Sequence, residues 1–201
     1  GLGIPAEPLF RSSYTYIYGA QWIQDLGDLS ALYLQQFEID TMRRVKKVIL
    51  GTAEDGYYNT GLPSIGIANC VKLEELNVAG VTNLAASLNL SHTLYLKKFD
   101  SRNSGVTGVR FAKNGRLQEA KLNDLASLYM SGLWNLSTFS VASYDNLGTL
   151  TIENCDQIDA LTIVESAESL ENLRLIGVDW TLDSTDLLNT LHSWLKLIWI
   201  L

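Results

Sequence analysis

Leu73-Glu74-Glu75-Leu76-Asn77-Val78 opens the pattern that decides the architecture. It reads apolar, two free positions, apolar, one free position, apolar. The template returns as Val106-x-x-Val109-x-Phe111, Leu117-x-x-Ala120-x-Leu122, Leu125-x-x-Leu128-x-Met130 and Leu136-x-x-Phe139-x-Val141. It continues as Leu147-x-x-Leu150-x-Ile152, Ile158-x-x-Leu161-x-Ile163 and Leu170-x-x-Leu173-x-Leu175. Leu96-x-x-Phe99, with Ser101 in its third slot, and the stretch Leu84 to Leu90 are weaker copies. Opening positions fall at 73, 84, 96, 106, 117, 125, 136, 147, 158 and 170, so most steps span ten to twelve residues and one spans eight. A fixed internal period of this kind is the signature of a repeat architecture.

The last two apolar positions of each copy flank a single free residue, the period of a short strand. A series of amphipathic helices does not fit, because an eleven-residue unit broken by Gly105, Gly108, Gly115, Gly132 and Gly148 leaves no room for a helix in each step. Asn83, Asn135 and Asn146 each precede an opening Leu, where an Asn side chain can bond the backbone of its own or a neighbouring turn. The pattern predicts a mostly β solenoid.

Composition sets the outer bounds. The 201 residues include 47% hydrophobic and 18% charged side chains, enough apolar material for a core and too much for a disordered tail. Two cysteines exclude a disulfide scaffold, and a net charge of −7 argues against nucleic acid as the main partner. No run of about 18 apolar residues is present, so no membrane-spanning helix is expected. Cys70 and Cys155 close similar short apolar segments and read as reduced core residues. Lys72 alone is weak support for an activated thiol.

The template resembles the leucine-rich repeat, L-x-x-L-x-L followed by an Asn or Cys corner, over about residues 70–180. Degraded copies are Leu29-x-x-Leu32-x-Leu34 and Val45-x-x-Val48-x-Leu50. The eleven-residue step departs from the family's usual unit of about 20–29 residues. Two steps are therefore expected to form one coil, with strands on two sides and no helix-backed horseshoe. The segment Asp100-Ser101-Arg102-Asn103-Ser104-Gly105-Val106-Thr107-Gly108-Val109-Arg110-Phe111-Ala112-Lys113-Asn114-Gly115-Arg116-Leu117, followed by Leu122-Asn123-Asp124-Leu125, carries a narrower likeness. It is similar to leucine-rich-repeat segments of tail and virion proteins of gut bacteriophages, including the crAss-like phages. That resemblance implies a right-handed coil of short parallel strands, a virion location and no catalytic residues.

The expected organisation is a single repeat domain over 1–201, read as a piece of a longer chain. Residues 1–62 would be an N-terminal cap with degenerate repeats, 63–182 the regular repeats, and 183–201 a C-terminal helix with an apolar end. Tyr14, Tyr16 and Tyr18 alternate as in a strand with one aromatic face. Asp183 to Asp186 supplies helix-start chemistry ahead of a capping helix over 185–195, and Leu195 to Leu201 reads as a buried last strand. Residues 51–62 form the longest turn-like insertion, in which Glu54 and Asp55 are better read as a solvated loop than as calcium ligands.

Chemistry leaves little trace. There is no G-x-S-x-G elbow, phosphate loop, dinucleotide fingerprint, H-E-x-x-H or paired C-x-x-C. His92 and His192 read as surface or satisfied histidines rather than ligands, and Asn89-Leu90-Ser91 and Asn135-Leu136-Ser137 follow from repeat composition. No catalytic, cofactor or metal-binding residue is predicted. Charge is more informative: residues 91–140 hold seven basic and three acidic side chains, +4, and residues 141–190 one basic and ten acidic, −9. Along a solenoid this becomes a basic middle and an acidic end. Free positions inside the strands, Asn77, Asp100, Arg110, Lys121, Tyr129, Ser140, Thr151, Thr162 and Arg174, are expected to line one face and form the candidate interaction surface. The functional expectation is a non-enzymatic structural or protein-interaction module of a phage tail or virion, meeting protein partners or its own copies. The alternative is a binding module of a bacterial surface or secreted protein that recognises host protein or glycan.

Overall fold

The computed structural model describes residues 23–30, 34–39, 42–52, 59, 61–111 and 113–178. Strands, numbered in chain order, alternate between two sides of a coil. On the first side, β1 (Asp25–Asp28), β3 (Lys47–Ile49), β5 (Glu75–Asn77), β7 (Lys98–Asp100), β9 (Glu119–Leu122) and β11 (Thr138–Val141) form a six-stranded sheet in that order. On the second, β6 (Ser87–Asn89), β8 (Gly108–Arg110), β10 (Ser127–Ser131), β12 (Thr149–Glu153) and β13 (Asn172–Ile176) form a five-stranded sheet, and β2 (Phe37–Glu38) pairs with β4 (Ile65–Gly66). Every pairing is parallel. The chain is a β-solenoid. Glu75, Lys98, Glu119 and Thr138 are successive register partners, so one coil takes 23, 21 and then 19 residues, two sequence steps each.

The template explains the coil. Its opening residue, as in Leu73, Leu96 and Leu117, is buried at a corner, and its later apolar positions point inward from a strand. Stacking coils then lines up Val48, Leu76, Phe99, Ala120 and Phe139 on one side and Leu88, Val109, Leu128, Leu150 and Leu173 on the other. Volume is compensated between sheets. Ala120 follows Phe99 in its column, and Phe111 meets Phe99 edge-on from the other side, ring centroids 5.5 Å apart at 76°. Each fully buried Leu in these columns contributes about 1.5–3 kcal/mol of transfer free energy.

One step breaks the pattern. The copy Ile158-x-x-Leu161-x-Ile163 reads as a strand, yet the chain forms α1 (Ala160–Ser166) there. The buried residues Ala160, Ile163, Val164 and Ala167 recur at i, i+3, i+4 and i+7, a helical stripe that shares only Ile163 with the template copy. Asp159 caps the helix, its carboxylate accepting from the Thr162 N–H at 3.2 Å and the Thr162 hydroxyl at 2.8 Å. The degraded copy at 45–50 coincides with β3. At the copy over 29–34, Leu29 and Leu34 are buried, and residues 31–33 lie outside the described residues.

The eight-residue step is closed by a side chain. Asn123, between β9 and β10, donates to the carbonyls of Val106 at 2.6 Å and Ser104 at 3.3 Å on the preceding coil, and accepts from the Ser101 hydroxyl at 3.0 Å. Ser101 fills the odd third slot of its copy for this reason. Asn114 and Asn59 act similarly at other corners. Asn114 donates to Thr93 and Leu96 carbonyls, while Asn59 accepts from the Leu34 N–H and donates to Leu29 and Leu50. Of the asparagines expected in this role, Asn135 bonds the Gly115 carbonyl and Asn146 bonds Asp124, both one coil back. Among the described residues no buried side-chain N or O lacks a partner. None of their helices is long and apolar enough to cross a membrane. The aromatic alternation at 14–18, Glu54 and Asp55, the helix over 185–195 and the apolar end lie outside the described residues.

Candidate interaction surface

Three outer surfaces follow from the coil. The first sheet carries charge in rows. Asp25, Lys47, Glu75, Lys98 and Glu119 are successive neighbours of alternating sign, with Lys47 and Glu75 3.4 Å apart. Beside them Glu74 sits between Lys97 at 2.6 Å and Lys46 at 3.6 Å. The bond from Lys97, helped by Lys46, holds the Glu74 carboxyl below its ordinary value. Asp100 is taken up by Arg102, and Lys121 by Glu119. Exposed pairs of this kind add little stability each. Their effect is to leave this face wet and its charges already matched.

The second sheet bears one connected network. The Arg110 guanidinium lies 3.8 Å from the Tyr129 ring centre, the Tyr129 hydroxyl donates to Glu153 at 3.0 Å, and Arg174 donates to the other Glu153 oxygen at 3.0 Å. Arg174, then Tyr129 and Ser131, hold the Glu153 carboxyl below the usual range. Beside this network runs a narrow strip of small side chains, Ser87, Gly108, Ser127 and Thr149.

The expected single row of free positions therefore divides. Asn77, Asp100, Lys121 and Ser140 are register partners on the first sheet, whereas Arg110, Tyr129, Thr151 and Arg174 are partners on the second. Thr162 is in neither, since it sits in α1 against its cap. Alternate steps of the sequence face opposite sides of the coil, so the free positions fall in two rows.

The third surface is the corner leading from the second sheet to the first. Leu94, Gly115, Trp134 and Asp156 lie five residues beyond the register partners Asn89, Arg110, Tyr129 and Thr151, so they follow one another coil by coil. Val71 precedes Glu75 as Leu94 precedes Lys98, by four residues, and stands one coil earlier in the row. Val71, Leu94 and Trp134 are 41%, 52% and 56% exposed, the largest values among the described bulky hydrophobes. One position along, Tyr95 stands between two cations, with Lys72 Nζ 3.9 Å and Arg116 Cζ 4.2 Å from its ring centre. Lys72, then Arg116, holds the Tyr95 hydroxyl below its ordinary pKa. Gly115 leaves the space that the Trp134 indole occupies.

Comparison of the chain with protein-family models, with curated proteins and with solved structures gives no match. Among the described residues, no group of three or more His, Cys, Asp or Glu is placed to hold a metal ion. Cys70 and Cys155 are buried thiols, and burial pushes the Cys155 thiol up. The residues that the strand-centred reading passed over are Val71, Leu94, Trp134, Lys72, Tyr95 and Arg116. Their signal was the pair just before each opening position: Val71-Lys72, Leu94-Tyr95, Gly115-Arg116, Trp134-Asn135 and Asp156-Gln157.

Proposed function

We propose that the chain is a non-enzymatic interaction module of a larger assembly, with the corner from Val71 to Trp134 as its contact strip. The observation that carries this reading is the contrast between surfaces. Among the described residues the sheets expose mainly charges and small hydroxyls, with Ile176 of β13 at 36%, while this corner gathers the three most exposed bulky hydrophobes, Val71, Leu94 and Trp134, beside Tyr95 and two cations. Trp, Tyr and Arg are the side chains that dominate protein contacts, and an apolar strip with a polar rim is their usual setting. Stacked coils hold such a strip at fixed spacing without help from a partner. The resemblance of residues 100–125 to phage tail and virion segments supports a virion as the assembly. The test is fractionation of material from the source of this chain, followed with an antibody to it. Co-sedimentation with assembled particles is expected, and recovery only as soluble chain overturns the assembly reading.

A second reading is recognition of host protein or glycan by a bacterial surface protein. Exposed Trp134, beside half-buried Tyr95, favours it, since sugar rings pack on aromatic faces. Binding of isolated glycans that is lost in Trp134→Ala would select it.

A further inference from the structure

Arg116, Trp134 and Asp156 stand on consecutive coils of the same corner, with Trp134 in the middle. Arg116 and Asp156 are exposed, and neither has an ion-pair partner among the described residues. Consecutive coils are about 4.8 Å apart. The corner is thus positive one coil before its most exposed hydrophobe and negative one coil after it. The three-coil segment from Arg116 to Asp156, at one end of the strip, is self-complementary under a two-fold rotation about Trp134. Turning a second copy end for end about Trp134 brings each Arg116 opposite the other copy's Asp156 and lays one indole against the other.

Resting on the reading of this corner as a contact strip, we infer that its partner is a second copy of the chain, packed antiparallel about Trp134. The two-fold closes the contact at a dimer, because the same patch is used by both copies. The charge division among the described residues, +4 over 91–140 and −6 over 141–178 (seven acidic, one basic), favours the same antiparallel sense, since each basic middle then lies toward the other copy's acidic end. A parallel pairing would set Arg116 against Arg116 and Asp156 against Asp156.

Sedimentation equilibrium at low salt tests this. Wild-type chain is expected to dimerise in a concentration-dependent way and to loosen at about 0.5 M salt. Arg116→Glu alone and Asp156→Lys alone each place like charges at both contacts, and each is expected to weaken association about tenfold or more. Mixing the two variants in equal amounts makes both contacts complementary again, so a heterodimer of near wild-type strength is expected. Far-UV circular dichroism and melting temperatures matching wild type show that the variants fold. A wild-type chain that stays monomeric up to about 0.5 mM overturns the inference, since only affinities weaker than about −4 kcal/mol would escape detection there. So does a dimer that either variant leaves intact, or a mixture that does not re-associate. A monomer leaves the assembly reading standing, because co-sedimentation with particles tests that separately.

Discussion

The indole of Trp134 lies directly on Gly115 of the preceding coil: a Cβ at Gly115 would stand 2.7 Å from Trp134 Cε3 and 3.0 Å from Cζ3. Gly132 completes the bed, with φ at +62° and a would-be Cβ 3.3 Å from Trp134 Cζ2. Two glycines therefore set the pose of the most exposed hydrophobe on the contact strip.

Gly115→Leu should displace the ring without unfolding the coil, because Gly115 is partly open to solvent. We expect a loss of about 1 kcal/mol in urea unfolding, at the low end for overpacked sites. Association through the corner should fall more than stability does. A variant that dimerises like wild type would show that the pose of Trp134 is irrelevant to the contact.

Asn123→Ala should be among the most damaging single substitutions at a corner. It strips bonds from the Val106 and Ser104 carbonyls and from the Ser101 hydroxyl, groups that lie within the coil. Leaving such groups unpaired costs about 1–3 kcal/mol. Asn83 is exposed, so Asn83→Ala should stay within about 0.5 kcal/mol. Equal effects at the two positions in denaturant melts would refute the role given to Asn123.

The sequence carried the coil but not its surfaces, for identifiable reasons. Apolar spacing reports what is inside, and so the strands around Leu76, Val109 and Leu150 were legible. It failed at Ile158, where the strand template overlaps a helical stripe of Ala160, Ile163, Val164 and Ala167 that meets it only at Ile163. It also could not tell Asn83 from Asn123, because a corner's bonds depend on which coil lies beside it. The interaction row was drawn from adjacent steps, yet neighbours in space are two steps apart. Read at that stride, the alternation of Lys46-Lys47, Glu74-Glu75 and Lys97-Lys98 is plain, as is the corner row ending in Trp134 and Asp156.

Reversing Glu74 tests the matched rows. Glu74 lies between Lys46 and Lys97, so Glu74→Lys would set three cations in line on consecutive coils. The denaturation midpoint should drop at low salt and recover much of the loss near 0.5 M, about 4 Å of screening length. Glu74→Gln should show a smaller drop and little salt recovery. A salt-independent loss in the reversal would mean that packing, not charge, is at stake.

Glu153 makes the second sheet sensitive to acid. Arg174 and Tyr129 bind its carboxylate, and its folded pKa lies below the value of about 4.5 that it would have unfolded. A depressed carboxylate contributes stability that is fully present above the unfolded value and is lost as pH falls through the folded one. Wild type should therefore exceed Glu153→Gln in stability at pH 7, and the gap should close progressively below about pH 4.5. Tyr129→Phe, which removes the donor but keeps the ring under Arg110, should narrow the same gap in part. Urea midpoints at pH 7, 5 and 3.5 give the measurement. A gap that is constant with pH would show that Glu153 acts through shape, and that its bonds to Arg174 and Tyr129 contribute nothing as charge.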